Sequence, residues 1–565
     1  MKNFKNLYTA EGEKLSGIPW NVYPRPLLER NSFVCLNGEW DFAVGSDNEP
    51  IVYDRKIRVP FCPESMLSGI NETFSEDKVL WYKRKFILPK GFIKDRVILN
   101  FGAVDQICEI FINGQRVGEH IGGYEAFSFD ITDYLRNENV ITVKVVDNLS
   151  SYILPYGKQR HARGGMWYTL VTGIWQTVWL ESVPENYIKG IKIESDLDGA
   201  KITFEGIESG SVYFDNKEYK IENSQALLTP SEKEFWTPEN PHLYKFTARS
   251  GEDEIKSYFA LRTIFVGEHK GKKRLLLNGE PYFFHGILDQ GYWSDGLFTP
   301  ALAECYEKDI RMLKSLGFNM LRKHIKIEPQ LFYYECDRLG IAVFQDMVNN
   351  SDYSFLRDTV MPTVHALRRN DKKLHKNKES RAAFIRGMES TVNSLCSHPS
   401  IVEWTIFNEG WGQFCSDEMY DKLKKLDPSR LVDSTSGWFL GDKNDFESRH
   451  IYFRKLRSVK TDKPYFLSEF GGYAYSVKGH VFNPRRAFGY AICKTREDFV
   501  KKLRNLYLYE VMPLVKEGLC ATVYTQVSDV EDEINGLVTF DRAVLKIKPE
   551  EFKDISEKLK KSLRE

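Results

Sequence analysis

The chain has 565 residues, more than one hydrophobic core can organise, so roughly two to four domains are expected. Lys plus Arg and Asp plus Glu both number 79, and a formal net charge of zero gives no electrostatic reason to expect nucleic acid or an anionic membrane as partner. The nine cysteines are scattered, odd in number and free of any C-x-x-C pair, which excludes a zinc-site spacing or a disulfide framework and suits a reducing compartment. The N-terminal MKNFKNLYTAEGEKLSG has no apolar core and no run of 18 apolar residues occurs, so a cytoplasmic location is the expectation.

The first third reads as all-β. Short runs rich in Val, Ile, Phe, Tyr and Trp alternate with turn signals: LNGEWDFAV (36–44), LWYKRKFIL (80–88), RVILNFG (96–102), ICEIFING (107–114) and VITVKVVD (140–147). In ICEIFING one face, Cys108, Ile110 and Ile112, is wholly apolar, as in a sandwich strand, and Asn113-Gly114 is a strong turn dipeptide. Residues 1–185 are therefore assigned to a jelly-roll sandwich. Residues 186–266 carry further short strands with a Pro-punctuated connection, Trp236-Thr-Pro-Glu-Asn-Pro241, and fit an immunoglobulin-like sandwich. The 14% aromatic content is assigned mostly to these cores, with a handful of rings left for a sugar site.

From residue 267 to 565 the period changes, and apolar strands alternate with amphipathic helices. Eight strand candidates, 282–288, 318–324, 341–347, 401–408, 431–436, 450–453, 464–470 and 521–527, point to a (β/α)8 barrel whose final helix is KPEEFKDISEKLKKSLRE. The helices after the fifth and sixth strands are poorly marked. In such a barrel the polar residues at C-terminal strand ends carry the chemistry: Asp289, Arg322, His324, Asp346, Asn408, Glu409, Asp433, Tyr452, Glu469 and Gln526. Glu409 and Glu469 directly follow strongly apolar strands, the fourth and seventh, where a carboxyl is costly to bury unless hydrogen-bonded or used. Facing each other at about 5–5.5 Å, two such groups could flank one glycosidic bond and cleave it with retention of configuration.

These segments also carry a resemblance. HPSIVEWTIFNEGWG resembles the acid/base segment of glycoside hydrolase family 2, and PYFLSEFGGY its nucleophile segment. LNGEWDF, LWYKRKF, INGQRVGEHIGGYEAFSFDIT and TGIWQTVWLE resemble the family's N-terminal sugar-binding domain, and FWTPENPHLY with FALRTI its middle domain. The resemblance implies a retaining exo-β-glycosidase acting by double displacement, with Glu409 as acid/base and Glu469 as nucleophile. It also implies that Asn408 bonds the sugar 2-hydroxyl, Tyr452 bonds the nucleophile and Arg322 supports its charge.

Trp411 and Trp438 are candidates for stacking on sugar, and Asp289, Trp293, Asp346, Gln526 and His324 for reading the glycone. NMLRKHIKIEP departs from the R-x-S-H-Y-P pattern of β-galactosidases and β-glucuronidases, so the transfer of a role to His324 is open. YTQVSDVEDEINGL replaces a Trp-rich eighth-strand segment, and the Asn-x-Lys pair that reads a glucuronate carboxylate is missing ahead of Gly536. The missing pair argues against glucuronidase and the glycone is open, with a β-galactosidase-like one favoured and β-glucuronidase or β-mannosidase types as alternatives. A non-catalytic carbohydrate-binding protein with a degenerate barrel is the alternative, and hydrolysis and transglycosylation are not separable in sequence. Two-carboxylate chemistry requires no cofactor; Mg²⁺ or Na⁺ binding, known in the family, has no recognisable ligand pattern here. The expected partner is carbohydrate, with homo-oligomerisation common in the family.

Overall fold

The structure, a computed structural model, describes residues 5–360, 370–486 and 488–564. The start of the N-terminal stretch and the last residue of the final helix lie outside them. Strands between Val34 and Val183 form a six-stranded and a four-stranded antiparallel sheet that close on one core of Trp40, Phe42, Tyr82, Leu99, Phe101, Ile110 and Val143. Alternation sets the faces: Cys108, Ile110 and Ile112 point inward, while Ile107, Glu109 and Phe111 remain half-buried. Asn113 and Gly114, both at positive φ, turn Ile107–Ile112 into Gln115–Ile121. Three-stranded and four-stranded antiparallel sheets follow, packed on Ile202, Phe214, Phe246 and Phe259. Arg30 ties the two sandwiches, bonding Asp253 at 2.9 and 3.0 Å and Glu181 at 3.1 Å with its side chain 3% exposed.

The rest of the chain builds a barrel of eight parallel strands. In chain order they are Phe284–Asp289, Met320–Lys323, Ala342–Asp346, Ile401–Asn408, Leu431–Ser436, Glu447–Ile451, Tyr465–Gly471 and Leu519–Thr525. Hydrogen-bonded neighbours run fifth, fourth, third, second, first, eighth, seventh, sixth, so one seam, between the fifth and sixth strands, lacks a backbone ladder. Side chains close it: Ser448 Oγ donates to Asp433 Oδ1 at 3.1 Å, and the Gly437 N–H donates to Ser448 Oγ at 3.3 Å.

Helices Glu304–Ser315, Gln330–Leu339, Lys378–Leu395, Ser416–Leu426, Arg496–Leu506 (continuing to Lys516) and Pro549–Arg564 cover the outside. Among the described residues no helix follows the fifth or the sixth strand. Those connections, residues 437–446 and 452–464, are about as short as the dozen residues a helical crossover needs. No helix among the described residues is long and apolar enough to cross a membrane.

The floor of the barrel is a plug. A three-stranded sheet from Ile264 to Pro281, together with Trp236, packs Ile264, Leu275 and Leu277 under Phe284, Met320, Phe344, Phe446, Phe466 and Val523. Trp236 is fully buried and its indole N–H donates to the Asp337 carbonyl at 2.9 Å. Replacing Trp236 by Ala is expected to cost about 3–5 kcal/mol. A lowered midpoint of the barrel's unfolding transition in a urea titration checks this; an unchanged midpoint contradicts the plug.

Candidate active site

Above the plug the inward positions become polar, and Arg322 occupies their centre with no exposed surface. Its Nε and Nη2 donate to Asp346 at 2.9 and 3.1 Å, and Nη2 also donates to Asn408 Oδ1 at 2.9 Å. Its Nη1 donates to Glu469 Oε1 and to the Ser468 carbonyl, both at 3.1 Å. One guanidinium thus binds the ends of the second, third, fourth and seventh strands.

Glu469 also accepts the Tyr452 hydroxyl, and the Tyr452 ring is stacked on Tyr490 with centroids 3.7 Å apart. Burial would raise the Glu469 pKa, but His450, the Arg322 guanidinium and the Tyr452 O–H outweigh it and hold the carboxyl below its usual range. Asp346 goes the other way: burial raises it despite Arg322. Asp346 Oδ2 also meets His324 Nδ1 at 2.7 Å, and burial pushes His324 well below the ordinary histidine pKa, so its imidazole is neutral.

Glu409 sits immediately beyond the fourth strand at φ +52, a left-handed conformation uncommon for a residue with a Cβ, held by its N–H bonding the Ser436 carbonyl at 3.0 Å. His450 Nδ1 lies 2.8 Å from Glu409 Oε1 and 3.6 Å from Glu469 Oε2. His450 Nε2 faces Arg322 Nη1 at 3.3 Å, and because a guanidinium only donates, Nε2 accepts and the ring proton sits on Nδ1, directed at Glu409. Gly437 makes room for this ring, since a Cβ there would stand 2.5 Å from it.

One carboxylate oxygen each from Glu409 and Glu469, with a ring nitrogen of His450, lie within 4.8 Å of one another. This close approach of the nearest oxygens fits a nucleophile and acid/base pair, whose carboxyl groups stand about 5–5.5 Å apart. The same three groups could also hold a cation, although Glu469 is already engaged by Arg322 and Tyr452.

Of the residues named from sequence, Arg322, His324, Asp346, Asn408, Glu409, Tyr452 and Glu469 converge here. Gln526 lies beside them, bonding Gln290 Nε2 at 2.7 Å and Asn535 Oδ1 at 2.9 Å. Trp438 stands with its ring 6.1 Å from that of His450. Trp411 lines the mouth, but one face of its indole is taken by Trp167, stacked at 5.1 Å.

Asp289 does not belong to this group. Strand alternation turns it to the outer face of the barrel, where it bonds Lys323 at 2.6 Å, and Lys323 in turn lies over the Phe332 ring. Trp293 is likewise packed outside, beneath Arg542. His450 is absent from the candidates named from sequence, although its two-residue spacing from both Ser448 and Tyr452 marks the inward face of the sixth strand. It missed Lys158, Trp167, Tyr168 and Glu533 altogether. The first three come from the N-terminal sandwich, where no barrel periodicity could reveal them.

The chain matches "Glycosyl hydrolases family 2, sugar binding domain" over residues 68–184 and "Glycosyl hydrolases family 2, TIM barrel domain" over residues 270–559. It therefore belongs to glycosyl hydrolase family 2. A β-galactosidase of Thermoanaerobacter pseudethanolicus is 25% identical over 490 residues, covering 79% of this chain and 62% of that protein, so the match spans less than two thirds of this relative. Among solved structures, a β-glucuronidase from an uncultured Clostridium superposes with a TM-score of 0.73 at 20% identity, covering 96% of this chain and 99% of that one. A family 2 β-galacturonidase from Eisenbergiella tayi bound to galacturonate gives a TM-score of 0.68 at 19% identity, covering 96% and 99%.

Removing the Tyr452 hydroxyl takes a donor away from the Glu469 carboxylate, so its pKa rises. In Tyr452→Phe the acidic limb of the kcat/KM profile should therefore move to higher pH; a limb that stays in place contradicts the assignment.

Proposed function

We propose that this protein is a retaining exo-β-glycosidase that removes terminal β-linked sugars by double displacement. The supporting observation is the close approach of Glu409 and Glu469, with Glu469 held ionised by its partners. Glu469 attacks the anomeric carbon while Glu409 gives its proton to the departing glycosidic oxygen. The C1–O bond breaks, a C1–Oε ester forms, and the aglycone leaves as an alcohol. Glu409, now a carboxylate, takes a proton from water, whose oxygen attacks C1 and releases Glu469. His450 orients Glu409 through Nδ1–H, and Asn408, whose Oδ1 is occupied by Arg322, turns its amide N–H groups to the sugar. A sugar hydroxyl in place of water would give transglycosylation by the same steps.

A β-galactoside is the glycone the sequence motifs favour, and the similar β-galactosidase supports it, but the charges of the pocket bear on that choice. No step in the scheme uses a metal ion.

Assayed on aryl β-glycosides, Glu469→Gln and Glu409→Gln should each lose roughly 10²–10⁴-fold in kcat/KM. Azide added to Glu469→Gly should yield the glycosyl azide of inverted configuration. Wild-type rates in both Gln variants would show that the pair is not catalytic and leave a carbohydrate-binding role. Treatment with EDTA should leave the rate unchanged; a loss restored by added Mg²⁺ would place a cation in the mechanism.

A further inference from the structure

We propose that Lys158, contributed by the N-terminal sandwich, reads the carboxylate of a terminal β-linked hexuronic acid, making the glycone a uronide instead of a neutral hexose. The inference rests on the glycosidase reading above and narrows its substrate.

Lys158 lies 92 residues upstream of the end of the second sandwich's strand Tyr244–Ser250, far from the barrel in sequence, yet it is built firmly into the barrel mouth. Tyr156 N–H donates to the Asn349 carbonyl at 3.0 Å, and the Tyr156 hydroxyl donates to the Ser351 carbonyl at 2.8 Å. Gly157, at φ +66, brings the two backbones together, since a Cβ there would stand 2.8 Å from the Ile325 carbonyl oxygen. Beyond Lys158, Arg163 bonds Glu531 at 2.9 Å, the Thr169 N–H donates to Glu531 at 2.9 Å, and the Tyr168 hydroxyl donates to Glu533. Both glutamates lie on the connection after the eighth barrel strand, so this wall is fixed at both ends.

Lys158 itself is 8% exposed, and among the described residues its ammonium has no hydrogen bond or ion pair. It lies over the rings of Tyr168, at 5.5 Å, and Trp411, at 5.8 Å. Two aromatic faces hold the ammonium in place but leave its three N–H donors without an oxygen acceptor from the described residues. Trp411 follows Glu409 by two residues and Tyr168 bonds Glu533, so Lys158 stands at the mouth of the barrel, and its charge reaches His324 and Glu533. Glu533 is engaged by Tyr168 and Gln526 and does not close on it.

A second cation adds to the same field. Arg160 covers the Trp167 ring at 4.3 Å, with Nε and Nη2 buried and without a partner among the described residues. A carboxylate on the sugar both accepts from the ammonium and neutralises its charge, whereas a neutral hydroxymethyl group only accepts. The barrel loop's missing Asn-x-Lys pair therefore does not exclude a uronide, because the cation comes from another element.

The test compares p-nitrophenyl β-D-glucuronide with the β-D-glucoside and the β-D-galacturonide with the β-D-galactoside. At least one uronide should exceed its neutral counterpart roughly tenfold or more in kcat/KM, and the faster uronide identifies the C4 configuration. In Lys158→Met the uronide-to-neutral ratio should fall by roughly a hundredfold, while Lys158→Arg retains most of it. The ratio is insensitive to the fraction of folded enzyme, so a merely structural lysine would not move it. Preference for a neutral sugar in the wild type, or a ratio unmoved by Lys158→Met, overturns the proposal and leaves the glycosidase intact.

If no glycoside is cleaved the glycosidase reading fails, and calorimetric titration with glucuronate, galacturonate, glucose and galactose decides the point separately. Uronates binding about tenfold tighter than the neutral sugars, and only to the wild type, sustain a carboxylate-reading Lys158. Equal binding, or none, overturns it.

Discussion

The site depends on a single buried guanidinium. Arg322 spreads its N–H donors over Asp346, Glu469, Asn408 and the Ser468 carbonyl, and so fixes the relative positions of four barrel strands at the level where chemistry occurs. A planar fork can do this, whereas a lysine ammonium with three donors on one atom could not reach four groups in these directions. In a water-poor interior such a charge is stable only when compensated, and the compensation is unequal. Asp346 takes the bidentate contact and remains a structural partner, its pKa raised by burial. Glu469 takes a single Arg322 donor plus the Tyr452 hydroxyl, is held ionised, and keeps an edge free toward the pocket.

Around this centre the barrel is irregular where it must be. The seam between the fifth and sixth strands has no ladder, so Asp433, Ser448 and Ser436 use side chains in its place, and the ring of His450 enters at that gap with Ser436 Oγ 3.3 Å from Nε2. A continuous ladder would draw the two strands together over the space that this imidazole fills. The short connections on either side of the sixth strand, without a helix among the described residues, belong to the same irregular wall.

Much of this was legible in sequence because it is local. Apolar runs ending in Glu409 and Glu469 placed the pair at matching strand ends, and Arg322, Asp346, Asn408 and Tyr452 followed from the same rule. The rule failed at Asp289 because proximity to a strand end does not say which face a side chain takes; parity with Phe284 and Leu288, which point inward, would have turned it out. It passed over His450 because one histidine at a strand end carries little weight until its alternation with Ser448 and Tyr452 is counted. Lys158 and Tyr168 lay beyond any local rule: their neighbours in space, Trp411 and Glu533, are hundreds of residues away in the chain.

The wall carried by the N-terminal sandwich separates two properties that a bare barrel would hold in common. In the proposed reaction, the groups that cut the bond belong to the barrel strands and their ends. The group proposed to select the sugar belongs to a segment tethered to another fold and latched to the last barrel connection. On the proposed reading, substitutions near Lys158 would change which sugar is taken while Glu409 and Glu469 stay untouched.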